Sequence, residues 1–333
     1  MKKKQIILIA VIFLLLSFNG NAQKKYKEYY NELNKTGNFT DTDSILKYQL
    51  NALEYAQPLP SDLIGIAFSY YEKKKFKKSS YYFCEAIKHG YQIETDEDYI
   101  KYPYKIDYDF TFVSNFKSQK NDFSDFINFM FKKNKKKAKK IRKKFIRRID
   151  KIEDAKYEFL LQNEFNFQEI RLEILPNEKL PDTIVKIIHK YANIGNANYM
   201  LDMLKNNTFP YRLNCRRFNS QSINMLLNHA IASFVKKDDA KLFIDLLWGQ
   251  VENGNIMPKD YANAMDHYTQ WYINKNKSLL ATTTFSADFK TFQCMDVLYP
   301  EKLNELRKQY WLEDIEVFCN TTNFKLPKNY INK

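Results

Sequence analysis

Glycine and proline are scarce in this chain, with 7 and 9 residues in 333. Tight hairpin turns, phosphate-cradling loops and dinucleotide fingerprints need glycine where the backbone turns left-handed or approaches a ligand closely. So few glycines cannot build many of these, and no G-x-S-x-G, P-loop or G-x-G-x-x-G pattern is present. Cysteine is sparse too: four residues and no C-x-x-C, which speaks against a redox pair and a cysteine zinc site. The four histidines, His89, His189, His229 and His267, show no H-E-x-x-H or other short ligand spacing. Neither a metal nor a cofactor is therefore expected.

What remains is a helical sequence. Long stretches without Gly or Pro carry apolar residues at three- and four-residue spacing, and hydrophobic content of 44% is ample for a core. The fold class expected is all-α. The surplus of Lys, Asn, Ile, Tyr and Phe follows an AT-rich coding bias, so the 24 Tyr and 26 Phe do not by themselves signal an aromatic-binding function.

The first segment reads as an export signal. Lys2, Lys3 and Lys4 precede an apolar run from Ile6 to Leu16, and small residues stand at Gly20 and Ala22. A run of 11 residues is short of the roughly 20 a membrane-crossing helix needs, so residues 1–22 are expected to be removed. No cysteine lies near Ala22, and no later segment is apolar enough to span a bilayer. The expected location is periplasmic or extracellular, in a bacterium, with no transmembrane anchor after cleavage. Export makes disulfides permissible. Cys294 and Cys319 form the favoured pair because both lie in the C-terminal segment; all four cysteines as small buried hydrophobes is the competing reading.

The net charge of +14 is localised. Between Lys132 and Lys151 stand 13 basic residues and one acid, Asp150. That net +12, with the three signal lysines, leaves about −1 for the rest of the chain. Apolar positions Phe126, Ile127, Met130, Ala138, Ile141, Phe145, Ile149 and Ile152 keep a helical stripe through the run, so residues 132–151 are expected to form a basic linker helix. Lys136, Lys140, Lys143, Lys144, Arg147 and Arg148 would form its basic surface. Like charges four residues apart weaken a lone helix, so packing along the stripe is expected. The surface is either simply solvated or meets an anionic envelope surface; nucleic acid is not expected, since no groove-reading motif accompanies it.

From Leu59 to Gly90 the spacing predicts a helix hairpin, with Ala67, Ser79 and Ala86 letting two helices approach and Tyr70, Phe76 and Phe83 filling between them. The pattern resembles a tetratricopeptide repeat, a 34-residue helix-turn-helix unit, with Tyr91 where the usual terminal proline stands. The resemblance implies stacking on neighbours, for which the helix around Ser44 to Ala56 is a candidate. Asp107, Asp109, Phe110, Phe116 and Phe123 resemble the module that closes such arrays. The domains expected are thus 23–131 for the repeat-like module, 132–151 for the linker and 152–333 for a C-terminal helical domain.

That last domain carries Thr208-Phe209-Pro210, Asn228-His229, Phe243, the turn Asn253-Gly254-Asn255, Tyr261-Ala262, Asp266-His267, Arg307 and Trp311-Leu312. The order is similar to a bacterial domain family of unknown function, of the type Gln-His, then Asp-Arg, then Tyr-Gly-Thr-Gln. Here Asn228 replaces the glutamine and His267 the arginine, and the stretch Ala281 to Phe285 has lost the glycine. The resemblance implies that any catalytic site would fall on His229, Asp266, His267 and Arg307, a histidine base with a carboxylate to orient it. Two functions stand. One is a non-enzymatic exported protein- or peptide-binding scaffold; the other is a cryptic or degenerate hydrolase. The loss of the glycine loop favours the first.

Overall fold

In a computed structural model, the described residues are 25–91, 120–169, 181–215, 220–282, 284–285 and 292–330. The segment 1–22 and the residues Asp107, Asp109, Phe110 and Phe116 lie outside them. The architecture is all-α, as composition implies, with one minor addition: an antiparallel pair of two-residue strands, β1 (Thr284–Phe285) and β2 (Gln293–Cys294).

The predicted hairpin consists of α3 (Pro60–Glu72) and α4 (Phe76–Lys88). Ser79, Ala67 and Ala86 are all fully buried, and the Ser79 hydroxyl donates to the Ala67 carbonyl at 2.7 Å, so small residues do bring the two backbones together. Lys74, at φ 55°, ends α3 where glycine is usual, and the Lys75 N–H reaches back to the Tyr70 carbonyl. α2 (Thr42–Ala52), N-capped by the Asp41 carboxylate, packs on α3 through Leu46 against Ile66 and Tyr70.

The basic run belongs to a longer helix, α5 (Lys120–Ile146). Phe126, Met130 and Ala138 of its apolar stripe join Phe68, Phe83 and Ile87 in the hairpin core, so the stripe is packed as the charge repulsion requires. The helix stops before the predicted end of the linker. Asp150 accepts hydrogen bonds from Ile152 N and Glu153 N and starts α6 (Lys151–Glu169), and Ile152, expected on the stripe, is 70% exposed. The six surface residues from Lys136 to Arg148 named above are all exposed. Arg142 is not: it is buried, stacks on Phe145 and donates to the Gly90 carbonyl.

The larger core is built by α6, α7 (Asp182–Lys205), α8 (Ser220–Ser233), α9 (Lys237–Glu252) and α10 (Pro258–Tyr272). Helix α1 (25–35), assigned by sequence to the first module, buries Tyr26, Tyr29 and Tyr30 in this second core. Gly254 is what admits it. A Cβ there would lie 2.0 Å from the Tyr26 ring, and its φ of +68° also favours glycine. The neighbouring Asn255 ties the turn to Pro210 and Arg212, accepting from Arg212 N and donating to the Pro210 carbonyl. A third cluster closes the chain, where α11 (Leu303–Gln309) and α12 (Ile315–Thr322) gather Cys294, Val297, Ile315 and Cys319 around Ala281.

Candidate ligand cleft and the predicted site residues

The four residues expected to form a catalytic set divide between two places. Asp266 faces the loop after α10. Its carboxylate accepts from the backbone N–H groups of Leu279, Leu280 and Thr282 and from the Thr282 hydroxyl, at 2.6–2.7 Å. Arg307 grips the same loop from the other side, donating to the Leu280 carbonyl at 2.6 Å and the Glu313 carbonyl at 2.7 Å. Between these two clamps sits Ala281, at φ 58°, in the left-handed region where glycine is usual. Ala281 is held in this conformation between the Asp266 carboxylate and the Arg307 guanidinium. Asp266 and Arg307 are fully occupied in this role, and both are essentially solvent-free.

His229 and His267 lie apart from that loop and near each other. Asp266 is adjacent to His267 in sequence but is not the acid bonded to His229. That acid is Glu164 of α6, buried to 1%, whose carboxylate lies 2.5 Å from His229 Nδ1. Burial holds the His267 imidazole below the ordinary histidine range, with Asp266 opposing it and the neighbouring His229 adding to it. No cluster of three His, Cys, Asp or Glu side chains suited to a metal occurs among the described residues. The side chain of His189 lies outside them.

Cys294 and Cys319 meet in the third cluster as free thiols with their sulfurs 3.7 Å apart. Their mutual hydrogen bond holds the Cys294 thiol above the ordinary range and Cys319 below it. Cys84 and Cys215 are separate buried thiols.

The concave feature beside Arg307 draws on both ends of the chain. A cleft of about 190 Å³ is walled by Leu33, Leu59, Met257, Pro258, Trp311, Leu312 and Val317, with Tyr30, Asp62, Lys259 and Glu313 among its polar lining. Thr282 and Arg307 also line it, so the clamped loop forms one wall. Trp311 ends α11 with φ 57°, the Leu312 N–H closing back on the Arg307 carbonyl at 3.0 Å. A bulky residue in this conformation costs about 1 kcal/mol. Aromatic packing on Trp248 and Tyr30 holds it there, and Asn34 donates to its carbonyl.

The cleft's polar groups are not at rest. Asp62, 6% exposed, has its carboxyl pushed up to about 6 by burial. The Tyr29 hydroxyl donates to it, and Lys259 and Arg212 act on it at longer range, each pulling the other way. The Tyr30 hydroxyl is buried without any partner. A buried orphan hydroxyl costs about 1–3 kcal/mol. Sequence reading did not find Asp62, Tyr30 or Lys259. They are separated by up to 229 positions and share no short motif, standing on α1, α3 and α10.

Set against family models, curated proteins and solved structures, the chain matches none of them. Its function is therefore argued from this geometry.

Proposed function

We propose that this chain is an exported, non-enzymatic binding protein, and that its cleft takes an apolar or aromatic side chain presented by a peptide or protein partner. The cleft itself carries this reading. Its volume exceeds that of the roughly 150 Å³ apolar cavities that admit a benzene ring, while falling short of a drug-sized site. Its walls are mostly aliphatic and aromatic, and the orphan Tyr30 hydroxyl offers a donor to a peptide carbonyl. A strained Trp311 at the wall fits a functional surface better than a purely structural one. The export signal at 1–22, the tetratricopeptide-like character of α3 and α4 and the diverged family resemblance of the C-terminal domain are part of the same reading. The basic face of α5 would add attraction to an anionic envelope surface.

The test is selection of a random peptide library on the immobilised mature chain, repeated on Val317→Trp, which fills the cleft from α12. Peptides with a shared aromatic or leucine anchor that lose binding to the filled variant are expected. Equal binding to both proteins would remove the cleft from the account.

One observation favours the degenerate-hydrolase reading: the buried Glu164 orienting His229, a base-and-orienter pair with His267 nearby. That reading requires an ester or amide hydrolysis that His229→Ala abolishes and His229→Gln does not restore.

A further inference from the structure

A second cavity lies where the hairpin meets the larger core, and it differs from the cleft in kind. Its volume is about 260 Å³, and Gln57, Lys88, His89, Phe145, Arg148 and Leu213 line it. The His89 ring is depressed first by its burial; Glu85 opposes this, and Arg212, Lys88 and Arg148 add to it as positive neighbours. Glu85 is already paired with Lys88 at 2.9 Å. Among the described residues, Asp150 caps α6, and Glu153 accepts from Tyr211 N and Asn214 Nδ2.

Two buried nitrogens at this corner have no partner. One is His89 Nδ1; the other is Nη1 of Arg212. Arg212 is 6% exposed, donates through Nε to the Gly254 carbonyl at 2.8 Å and reaches the carbonyl of Gln57, a cavity residue, through Nη2. An unanswered Nη1 on a buried guanidinium is a donor that is costly to leave unpaired. The one unfavourable feature is the C-terminus of α4, whose carbonyls carry about half a negative charge. Arg142, which donates to the Gly90 carbonyl, offsets it.

We infer that this cavity is an anion site for a phosphate-type group, with His89, Lys88 and Arg148 in its lining and Arg212 behind the Gln57 wall. A tetrahedral oxyanion supplies only acceptors, which suits the exposed cations Lys88 and Arg148 in the lining, and the Arg148 guanidinium fork matches its geometry. The volume admits a phosphate with several waters, each taking about 30 Å³, and no large ligand. The exposed basic face of α5 ends at Arg147 and Arg148, so it would steer anions toward the opening. His89 then gains a proton as the anion arrives, since the ligand charge opposes the three cations that now depress it.

The test is calorimetric titration of the mature chain with inorganic phosphate at low ionic strength, with His89 followed by NMR. Saturable binding below ~10 mM is expected, with an upward shift of the His89 titration. Arg148→Ala, a change at an exposed position, should weaken binding severalfold, and Arg212→Gln about tenfold. If Arg212→Gln does not fold, Lys88→Ala replaces it. Vesicles of phosphatidic acid, against phosphatidylcholine, identify the source. Phosphate binding without vesicle binding indicates a free anion; vesicle binding that phosphate competes away indicates a lipid headgroup. No response of His89 to phosphate, or vesicle binding that neither phosphate nor Arg148→Ala reduces, overturns the site.

Discussion

Asp266 and Asp62 are both buried aspartates at 0% and 6% exposure, and they are in opposite conditions. Asp266 receives four donors from one loop and helps hold Ala281 in a left-handed conformation. Asp62 relies chiefly on one tyrosine hydroxyl, and burial pushes its carboxyl up to about 6. The first is a finished structural joint. The second is a group the fold has left under-compensated at the wall of a cleft, beside an orphan hydroxyl. Burial alone does not distinguish architecture from function; the number and direction of donors does.

Breaking the finished joint should have the largest effect. Asp266→Asn turns an amide NH₂ toward N–H donors and strands the rest, and is expected to cost about 4 kcal/mol in denaturant unfolding. If the loss is under about 1 kcal/mol, Asp266 is not the clamp of this loop.

Next in size is the thiol pair beside that joint. Oxidised glutathione should convert Cys294 and Cys319 to a disulfide, both thiols losing their protons and two molecules of reduced glutathione leaving. Closing a loop of 25 residues should raise stability by about 3 kcal/mol, read as a shift in the unfolding midpoint against Cys319→Ser. Mass spectrometry that finds both thiols still free would reject the pairing.

Asp62 predicts a smaller effect with a definite sign. Its folded pKa is raised from 3.8 to about 6, so the folded state holds the proton more tightly. The stabilising contribution is complete below pH 4 and is lost as pH rises from about 4 to about 6. Asp62→Asn keeps an acceptor for Tyr29 without the charge. It should therefore be more stable than the native chain at pH 8, by about 1–2 kcal/mol, and show a flatter profile between those values. A variant less stable at pH 8 would mean the charged form is the one the cleft is built around. Smallest of all is Tyr30→Phe, which removes the orphan hydroxyl. It should leave stability unchanged or raise it by under about 1 kcal/mol, while weakening peptide binding.

The two aspartates also show what the sequence could and could not convey. The hairpin of α3 and α4 was legible because helical periodicity and the small residues Ala67, Ser79 and Ala86 are local signals. The stripe of α5 was legible for the same reason, though not its end, which a single side-chain cap at Asp150 decides. Asp266 was singled out as a catalytic candidate, whereas the structure commits its carboxylate to the loop 13–16 residues later. Glu164 and His229 meet across 65 residues, and Tyr29 and Asp62 across 33. No spacing rule reaches that far. Gly254 was legible as part of a turn, but not as the seat of Tyr26, which decides where α1 docks and hence whether the cleft exists.

The most direct test of the cleft is methyl NMR of the mature chain titrated with N-acetyl-phenylalanine amide. Saturable shifts confined to Leu33, Leu59, Met257, Leu312 and Val317, and lost in Val317→Trp, are the expected result. Shifts that are absent, or scattered over the surface without saturation, would contradict a binding protein built around this cleft.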